Sequence, residues 1–207
     1  MDIGKFRQLP LIGILRGIEK DVVKPLIGAV ISAGLQTIEI TMNTPAAPKL
    51  IQDAIKSAQG KLTIGAGTVL TRDDLGKALD SGATFIVLPT LVTEVVEYCV
   101  KKSIPVFAGA LTPQEIYKAW SMGATMVKVF PAKFFGPEYF KEIKGPFGQI
   151  ELLACGGITA DNIQDFFSCG ASAVAFGGSI FRKEWLALRE FSRIEEDIKA
   201  LIAGFRG

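Results

Sequence analysis

Eight short apolar segments, separated by amphipathic ones, predict that residues 1–207 form a single-domain (β/α)8 barrel, the TIM-barrel fold. The chain has 207 residues, of which 49% are hydrophobic, and this is enough to bury the core of one domain. Strands that alternate with helices are expected to be parallel. Eight such repeats in about 200 residues fit a closed barrel better than an open sheet.

The predicted strands recur at intervals of roughly two dozen residues. In chain order they are LIGILRG, TIEIT, LTIGAGTV, FIVLPT, PVFAGA, MVKVFPA, IELLACGG and AVAFGGS. Between them lie segments with apolar residues at helical spacing, such as DVVKPLIGAVISAG and EVVEYCVKKS. We expect these segments to form the helices that surround the barrel.

A repeated glycine supports this count and fixes the register of the even-numbered strands. The segments AGLQTIEI, SGATFIVL, MGATMVKV and CGASAVAF each contain a glycine that can cap the preceding helix: Gly34, Gly82, Gly123 and Gly170. The residues five positions further on share one register: Glu39, Val87, Lys128 and Ala175. Each interior layer of such a barrel takes four side chains from alternate strands. The repeat therefore predicts that Glu39 and Lys128 point toward each other inside the barrel.

Lys128 interrupts an apolar run that is otherwise typical of a strand buried on both faces. Burial disfavours an ionised amine, so a lysine at this position needs an explanation. One alternative is an ion pair with Glu39 that fixes only packing or register, but buried pairs stabilise a fold poorly compared with apolar residues. We favour a functional site, because ionisable groups in unusual environments concentrate at such sites.

The composition argues against several classes of function. The 23 basic and 21 acidic residues are mixed along the chain and give a net charge of +2, which indicates neither nucleic-acid nor membrane binding and favours a small-molecule partner. The chain contains no histidine, which removes His-based triads and the usual ligands of catalytic zinc, so we expect neither a metal nor a cofactor. The three cysteines lack the spacing of a zinc cluster or a disulfide framework: Cys99, Cys155 and Cys169. No apolar run approaches the length of a membrane span. We therefore expect a cytoplasmic protein.

The carboxyl ends of the strands are where barrels of this type carry their chemistry. Arg16 ends the first strand and could clamp a carboxylate or a phosphate, although it could also form only a surface ion pair. Thr68 follows the third strand and offers a hydroxyl, although a threonine in a turn often serves only the backbone.

Paired glycines follow the seventh and eighth strands, before predicted helix starts. Backbone amides in glycine-rich turns can approach an oxyanion closely, and helix amino termini favour negative charge. We therefore expect a phosphate site formed by Gly156, Gly157, Gly178 and Ser179.

Lys128 and Glu39 together suggest a specific chemistry. A buried amine can act as a nucleophile that forms a Schiff base with a ketone or an aldehyde. The iminium withdraws electrons from the adjacent carbon–carbon bond, so that an aldol bond can break, and Glu39 could transfer protons directly or through water. The residues therefore predict a metal-independent reaction with Lys128 and Glu39 as the catalytic groups.

The sequence also resembles the bacterial aldolases of 2-keto-3-deoxy-6-phosphogluconate, 4-hydroxy-2-oxoglutarate and 2-keto-3-deoxy-6-phosphogalactonate. The resemblance runs through LPLIGILRGI, TIEITMNTP, IGAGTVL, KVFPAKFFGP, CGGIT and GGSIF, and so covers nearly the whole chain. It implies a class I aldolase that cleaves a phosphorylated 2-keto-3-deoxy sugar acid to pyruvate and D-glyceraldehyde 3-phosphate. Cleavage of 4-hydroxy-2-oxoglutarate to pyruvate and glyoxylate is implied as a further activity.

The resemblance also implies roles for the residues identified above. Lys128 would form the Schiff base, and Glu39 would transfer protons. Arg16 and Thr68 would bind near the carboxylate of the keto acid. The phosphate would be held by Gly156, Gly157, Gly178 and Ser179. A homotrimer is implied as well.

Three positions bear on the choice of substrate within this family. Asn43 stands where the phosphogluconate enzymes often carry an arginine, so that EITMNTP and the opening LPLIGILRGI look more like the phosphogalactonate branch. Cys155 and Leu88 depart from the residues common at their positions, and we expect both side chains to face the hydroxyl groups of the substrate. Both sugar epimers stay open as substrates.

Two other readings of the sequence compete with an aldolase. A different small phosphate-binding barrel enzyme, such as an epimerase or a phosphoribosyl isomerase, would need histidines that are absent or would have no use for the buried lysine. A non-catalytic sensor of sugar phosphates would keep the glycines but would leave Lys128 unexplained.

Overall fold

The computed structural model describes residues 1–206 and contains a closed barrel of eight parallel strands arranged in chain order. The strands are β1 (Leu11–Leu15), β2 (Thr37–Thr41), β3 (Thr63–Gly67), β4 (Ile86–Val87), β5 (Val106–Ala110), β6 (Met126–Val129), β7 (Leu152–Cys155) and β8 (Ala173–Phe176). Pairing between β1 and β8 closes the sheet. The predicted fold and all eight predicted strands are confirmed, although β4 is reduced to two residues.

Helices separate successive strands, as predicted, and further helices precede the first strand and follow the last one. They are α1 (Ile3–Phe6), α2 (Lys20–Ser32), α3 (Ala47–Ala58), α4 (Arg72–Asp80), α5 (Thr93–Lys101), α6 (Pro113–Ser121), α7 (Gly136–Lys144), α8 (Ile163–Ser168), α9 (Lys183–Ala187) and α10 (Phe191–Arg206). A short 3₁₀ helix, Ala132–Phe134, follows β6. Within residues 1–206, no helix is both long enough and apolar enough to span a membrane.

Local sequence signals account for many of the helix boundaries. At the start of α6, Thr112 and Glu115 form a reciprocal capping box. At the ends of four helices, the chain turns through a glycine in the left-handed region, with φ between +88° and +98°: Gly34, Gly82, Gly123 and Gly170. These are the four glycines of the sequence repeat, so their predicted capping role is confirmed.

Buried apolar side chains form two groups, one on each face of the sheet. The larger group fills the space between the strands and the surrounding helices. The smaller group fills the barrel interior, where Phe6 of α1 packs edge-to-face on Phe107 with the ring centroids 5.8 Å apart. Because α1 precedes β1, it closes the amino-terminal end of the barrel.

Candidate active site

Glu39 on β2 and Lys128 on β6 are buried inside the barrel, with 1% and 5% of their surfaces exposed. In a closed barrel of eight strands in chain order, β2 and β6 are on opposite walls. The two other residues of the predicted layer, Val87 and Ala175, belong to the interior apolar group. The register deduced from the capping glycines is therefore confirmed, and an acid and an amine share an interior that is otherwise lined by apolar side chains.

The carboxyl group of Glu39 is packed against the end of β3. An ideal Cβ atom built on Gly67 would lie 2.4 Å from Oε1 and 2.6 Å from Cδ of Glu39, so only a glycine leaves room for this side chain. Oε2 of Glu39 is buried and has no hydrogen-bond partner in the described part of the chain. Burial raises the pKa of Glu39 above its ordinary value, while the positive charges of Lys128 and Arg16 oppose this shift. The carboxyl group is therefore able to hold a proton more readily than an exposed glutamate.

Lys128 lies between β5 and β7, in register with Gly109 and Leu153. Its Nζ atom is 5.5 Å from the centre of the Phe130 ring. Cys155, at the end of β7, is also buried, and burial raises the pKa of its thiol while the positive charge of Lys128 opposes the shift. The amine thus has a sulfur and an aromatic ring near it, and both are soft, weakly polar neighbours.

Arg16 and Thr68 meet at the rim of the barrel. Nη2 of Arg16 donates a hydrogen bond of 3.4 Å to Oγ1 of Thr68. Thr68 has a φ of +55°, which is rare for a β-branched residue and costs roughly 1–3 kcal/mol. Arg16 is exposed and takes part in none of the ion pairs found among residues 1–206. The alternative of a surface ion pair is therefore wrong, and the guanidinium is available to an anion.

The loops after β1, β2 and β3 are tied together beneath Arg16. The backbone N–H of Gly17 donates to Oγ1 of Thr44 at 2.9 Å, and the hydroxyls of Thr44 and Thr41 are hydrogen-bonded at 3.0 Å. The N–H of Met42 donates to the carbonyl of Gly67 at 2.7 Å. The sequence gives no signal that distinguishes Thr41, Thr44 or Gly67, because threonines and glycines at strand ends have many ordinary structural uses.

The predicted phosphate residues lie on two adjacent loops, after β7 and β8. Oγ of Ser179 donates to the carbonyl of Ile158 at 2.8 Å and joins the loops. Gly156 and Gly157 have φ values of +102° and +78°, which favour glycine. In the hydrogen-bond network of residues 1–206, the N–H groups of Gly157, Gly178 and Ser179 donate to no protein acceptor.

One part of the phosphate prediction needs correction. The helices do not begin directly after the glycine pairs: α8 begins at Ile163 and α9 at Lys183, and both are short. The loop residues in between form turns, such as the one closed by the N–H of Phe181 on the carbonyl of Gly177. Anion binding at this place would therefore depend on loop amides more than on helix dipoles.

The expectation that Leu88 faces the substrate is wrong. Leu88 is fully buried in the group between the sheet and the helices, because it follows the inward-facing Val87 and successive residues of a strand point to opposite faces. Cys155 belongs to the interior group. Of the two unusual positions, only Cys155 is near Lys128 and Glu39. Asn43 is exposed on the loop after β2.

A cleft of about 440 Å³ lies beside Arg16, between the loop after β1 and α9. Its lining includes Lys183 and Arg189, but neither Lys128 nor Glu39. Lys128 and Glu39 instead lie deeper, inside the barrel. No cluster of side chains within the described part of the chain is arranged to hold a metal ion.

A family model described as KDPG and KHG aldolase matches residues 3–196. The chain belongs to the KDPG and KHG aldolase family. Over 200 residues it is 32% identical to 2-dehydro-3-deoxy-6-phosphogalactonate aldolase of Escherichia coli (strain K12), with 96% of each chain covered. Over 180 residues it is 34% identical to 2-dehydro-3-deoxy-phosphogluconate aldolase of Haemophilus influenzae, with 86% of this chain and 84% of the relative covered.

Solved structures of the KDPG and KHG aldolase family have the same fold. The KDPG aldolase of Legionella pneumophila, with pyruvate captured as a covalent carbinolamine intermediate, is similar with a TM-score of 0.86, at 28% identity and with 93% of both chains covered. The expected family is confirmed. Aldolases are carbon–carbon lyases, so the predicted enzyme class is confirmed as well. The roles of individual residues stay predictions.

Proposed function

We propose that this aldolase uses Lys128 to cleave a 2-keto-3-deoxy-6-phospho sugar acid, of the gluconate or galactonate type, to pyruvate and D-glyceraldehyde 3-phosphate. The observation that carries the proposal is the burial of Lys128 and Glu39 together inside a closed barrel. A buried acid and amine stabilise a fold poorly, so their presence argues for chemistry. The names of the relatives support the class of substrate.

Lys128 is the proposed nucleophile. Its neutral amine adds to the C2 ketone of the substrate to give a carbinolamine, which loses water to form an iminium. When the C4 hydroxyl then loses its proton, the C3–C4 bond breaks and its electron pair forms an enamine. D-Glyceraldehyde 3-phosphate departs, C3 of the enamine takes a proton, and water releases pyruvate from Lys128. The carbinolamine captured in the Legionella enzyme supports such a sequence.

Glu39 is the proposed acid and base. Because burial raises the pKa of its carboxyl group, Glu39 can give a proton to the hydroxyl that leaves the carbinolamine. The resulting carboxylate can accept the proton of the C4 hydroxyl and return it later to C3. Oε2 has no hydrogen-bond partner within residues 1–206, so it is available to the reacting groups. A single carboxyl group would therefore transfer protons in both directions.

The ends of the substrate would be held at the rim. Arg16 is exposed and forms no ion pair within residues 1–206, so we assign to it and to Thr68 the carboxylate of the keto acid. The loops that Ser179 joins would hold the phosphate with the amides of Gly156, Gly157, Gly178 and Ser179. Cys155 lies where it could contact the substrate hydroxyls, and a thiol is a weaker hydrogen-bonding group than a hydroxyl.

Borohydride trapping with pyruvate tests the Schiff base. Reduction followed by peptide mass spectrometry is expected to find the adduct on Lys128, and Lys128→Ala is expected to lose both trapping and cleavage. The nearby Lys133, on the 3₁₀ helix outside the strand, is the matched control, and Lys133→Ala should keep trapping. An adduct-free wild-type protein, or an adduct on another lysine, would contradict the mechanism.

Cleavage rates of three substrates test the substrate class: the gluconate epimer, the galactonate epimer and the unphosphorylated 4-hydroxy-2-oxoglutarate, which we propose as a secondary substrate. The phosphorylated compounds should have the lower KM because only they can use the loops after β7 and β8. Equal KM values with and without the phosphate would remove the proposed phosphate site.

We also propose that the aldolase forms a homotrimer, as the family resemblance implies. Phe134 and Phe135, directly after the strand that carries Lys128, leave 72% and 53% of their surfaces exposed. Large exposed aromatic groups are typical of surfaces that bind another protein chain. Native mass spectrometry of the purified protein at micromolar concentration checks the state, and a monomer would contradict it.

A cytoplasmic location and a single aldolase domain over residues 1–207 complete the proposal. Cys99, Cys155 and Cys169 are all free, which fits a reducing compartment. Fractionation of cells with an antibody to the protein checks the location. The last residue, Gly207, lies outside the described residues.

A further inference from the structure

We infer that Thr44 is a positioning residue of this aldolase, whose buried hydroxyl holds the segment that carries Arg16 against the end of β2. The inference rests on the proposed role of Arg16 in binding the carboxylate of the keto acid. Thr44 itself is 3% exposed and belongs to the loop after β2. It would act on the substrate through Arg16.

The hydroxyl of Thr44 makes two hydrogen bonds. Oγ1 of Thr44 accepts the N–H of Gly17 at 2.9 Å and is paired with Oγ1 of Thr41 at 3.0 Å. Thr41 is fully buried, so these hydroxyls have little access to water as a replacement partner. Removing the hydroxyl of Thr44 would leave the fully buried hydroxyl of Thr41 and the part-buried N–H of Gly17 without their present partner, and this loss is most costly for the buried hydroxyl.

Gly17 directly follows Arg16 in the chain. It has a φ of +64°, and a Cβ atom at this position would meet no atom within 4 Å outside its chain neighbours. No contact in the side-chain direction of Gly17 therefore holds the turn. The hydrogen bond to Thr44 is the specific contact that fixes the chain at the residue after Arg16.

The loops after β1, β2 and β3 form a closed ring of contacts. Gly17 is bonded to Thr44, the N–H of Met42 to the carbonyl of Gly67, and Arg16 to Thr68, the residue after Gly67. The contact between Arg16 and Thr68 is long, at 3.4 Å, and by itself fixes the guanidinium weakly. Thr44 therefore supplies the short link by which β2 positions Arg16.

Glu39 does not depend on this link in the same way. It lies within β2, in register with Ile14 of β1 and Gly65 of β3, so the strand ladder holds its backbone on both sides. Loss of the Thr44 hydroxyl should consequently weaken the binding of the keto acid far more than the proton transfers.

The experiment compares Thr44→Val with Thr44→Ser and with a matched control, Thr125→Val. Oγ1 of Thr125 also accepts a backbone N–H at 2.9 Å, from Val106, but at the amino-terminal end of β5. Two quantities are measured: KM and kcat for the cleaved substrate, and the pyruvate concentration that gives half-maximal borohydride trapping.

Thr44→Val should raise both KM and the half-saturating pyruvate concentration by about twofold to tenfold, which is the effect expected from the loss of one hydrogen bond. The kcat value should change by less than about twofold. Thr44→Ser should restore wild-type values, and Thr125→Val should leave them unchanged. Equal behaviour of Thr44→Val and Thr125→Val, or a loss of kcat at constant KM, would overturn the inference.

A double-mutant cycle with Arg16→Lys gives a second readout. If Thr44 acts through Arg16, adding Thr44→Val to Arg16→Lys should not raise the half-saturating pyruvate concentration further, whereas independent effects would multiply and overturn the inference. Should Thr44→Val fail to fold, Thr44→Ala is measured in the same cycle. A wild-type protein that traps no pyruvate would refute the proposed function itself, which is a different result from trapping that is insensitive to Thr44.

Discussion

The contact between Gly67 and Glu39 leads to a prediction about the variant Gly67→Ala. The backbone of Gly67 lies outside the left-handed region, so alanine meets no conformational penalty there, and the whole effect is steric. The new Cβ atom would lie 2.4 Å from Oε1 of Glu39, whereas ordinary contacts begin at 3.4 Å. The carboxyl group must therefore move by about 1 Å.

A displacement of about 1 Å at a reacting group can reduce the rate roughly 100-fold. We therefore expect Gly67→Ala to lose about two orders of magnitude in kcat and to lose about 1–3 kcal/mol of stability through overpacking. Lys128 is on the opposite wall, so trapping of pyruvate should continue, although more slowly. The assay couples pyruvate release to the oxidation of NADH by lactate dehydrogenase, and thermal unfolding measures stability.

Gly28→Ala is the matched control. Gly28 lies in α2, and a Cβ atom there would meet nothing within 4 Å, so this variant should keep its activity and gain about 0.5–1 kcal/mol from the helix propensity of alanine. Wild-type turnover in Gly67→Ala would refute the reasoning, since it would mean that the position of Glu39 is unimportant. Loss of trapping in proportion to turnover would refute it too, because the damage would then involve Lys128.

Two further predictions concern Glu39 and Ser179. Folding raises the pKa of Glu39, so ionisation of its carboxyl group lowers the free energy of unfolding. This loss is absent below the unfolded pKa of about 4.3. It grows as the pH rises and is complete above the folded pKa. Glu39→Gln cannot ionise, so urea unfolding should find it increasingly more stable than the wild type as the pH rises above about 4.3, while its turnover is impaired; a difference that stays constant as the pH rises would exclude the raised pKa. Ser179→Ala loses the bond to the carbonyl of Ile158, and we expect KM for a phosphorylated substrate to rise by about twofold to tenfold with unchanged pyruvate trapping. An equal increase in KM for 4-hydroxy-2-oxoglutarate would show that Ser179 does not act through the phosphate.

The register of the barrel could be predicted because it is encoded locally. Where a helix ends at a glycine in the left-handed region, the chain reaches the next strand after a fixed number of residues. Four such glycines have φ values within 10° of each other. Counting from them gave the inward positions, including Glu39 and Lys128. Leu88 directly follows β4, and alternation places its side chain on the face of the sheet opposite to that of Val87. The expected contact of Leu88 with the substrate could therefore have been excluded from the sequence alone.

The fine geometry of the site could not be predicted in this way. Gly67 and Glu39 are far apart in the sequence, and nothing local distinguishes Gly67 from a glycine that serves a turn. The same holds for Thr44 and Gly17, which meet only because β1 and β2 are neighbours. These contacts depend on how closely adjacent strands approach, which a periodic pattern does not contain.

The sequence by itself determined the closed alternation of strands and helices, the burial of an acid with an amine, and the absence of histidine from the chemistry, since each follows from local patterns or from composition. Only the tertiary structure decided that Glu39 is pressed against Gly67, that Arg16 forms no ion pair among residues 1–206, and that Cys155 lies near Lys128. The physical reason is that close packing and electrostatic surroundings depend on distances of a few ångströms between residues from different strands. Those distances are set when the barrel closes.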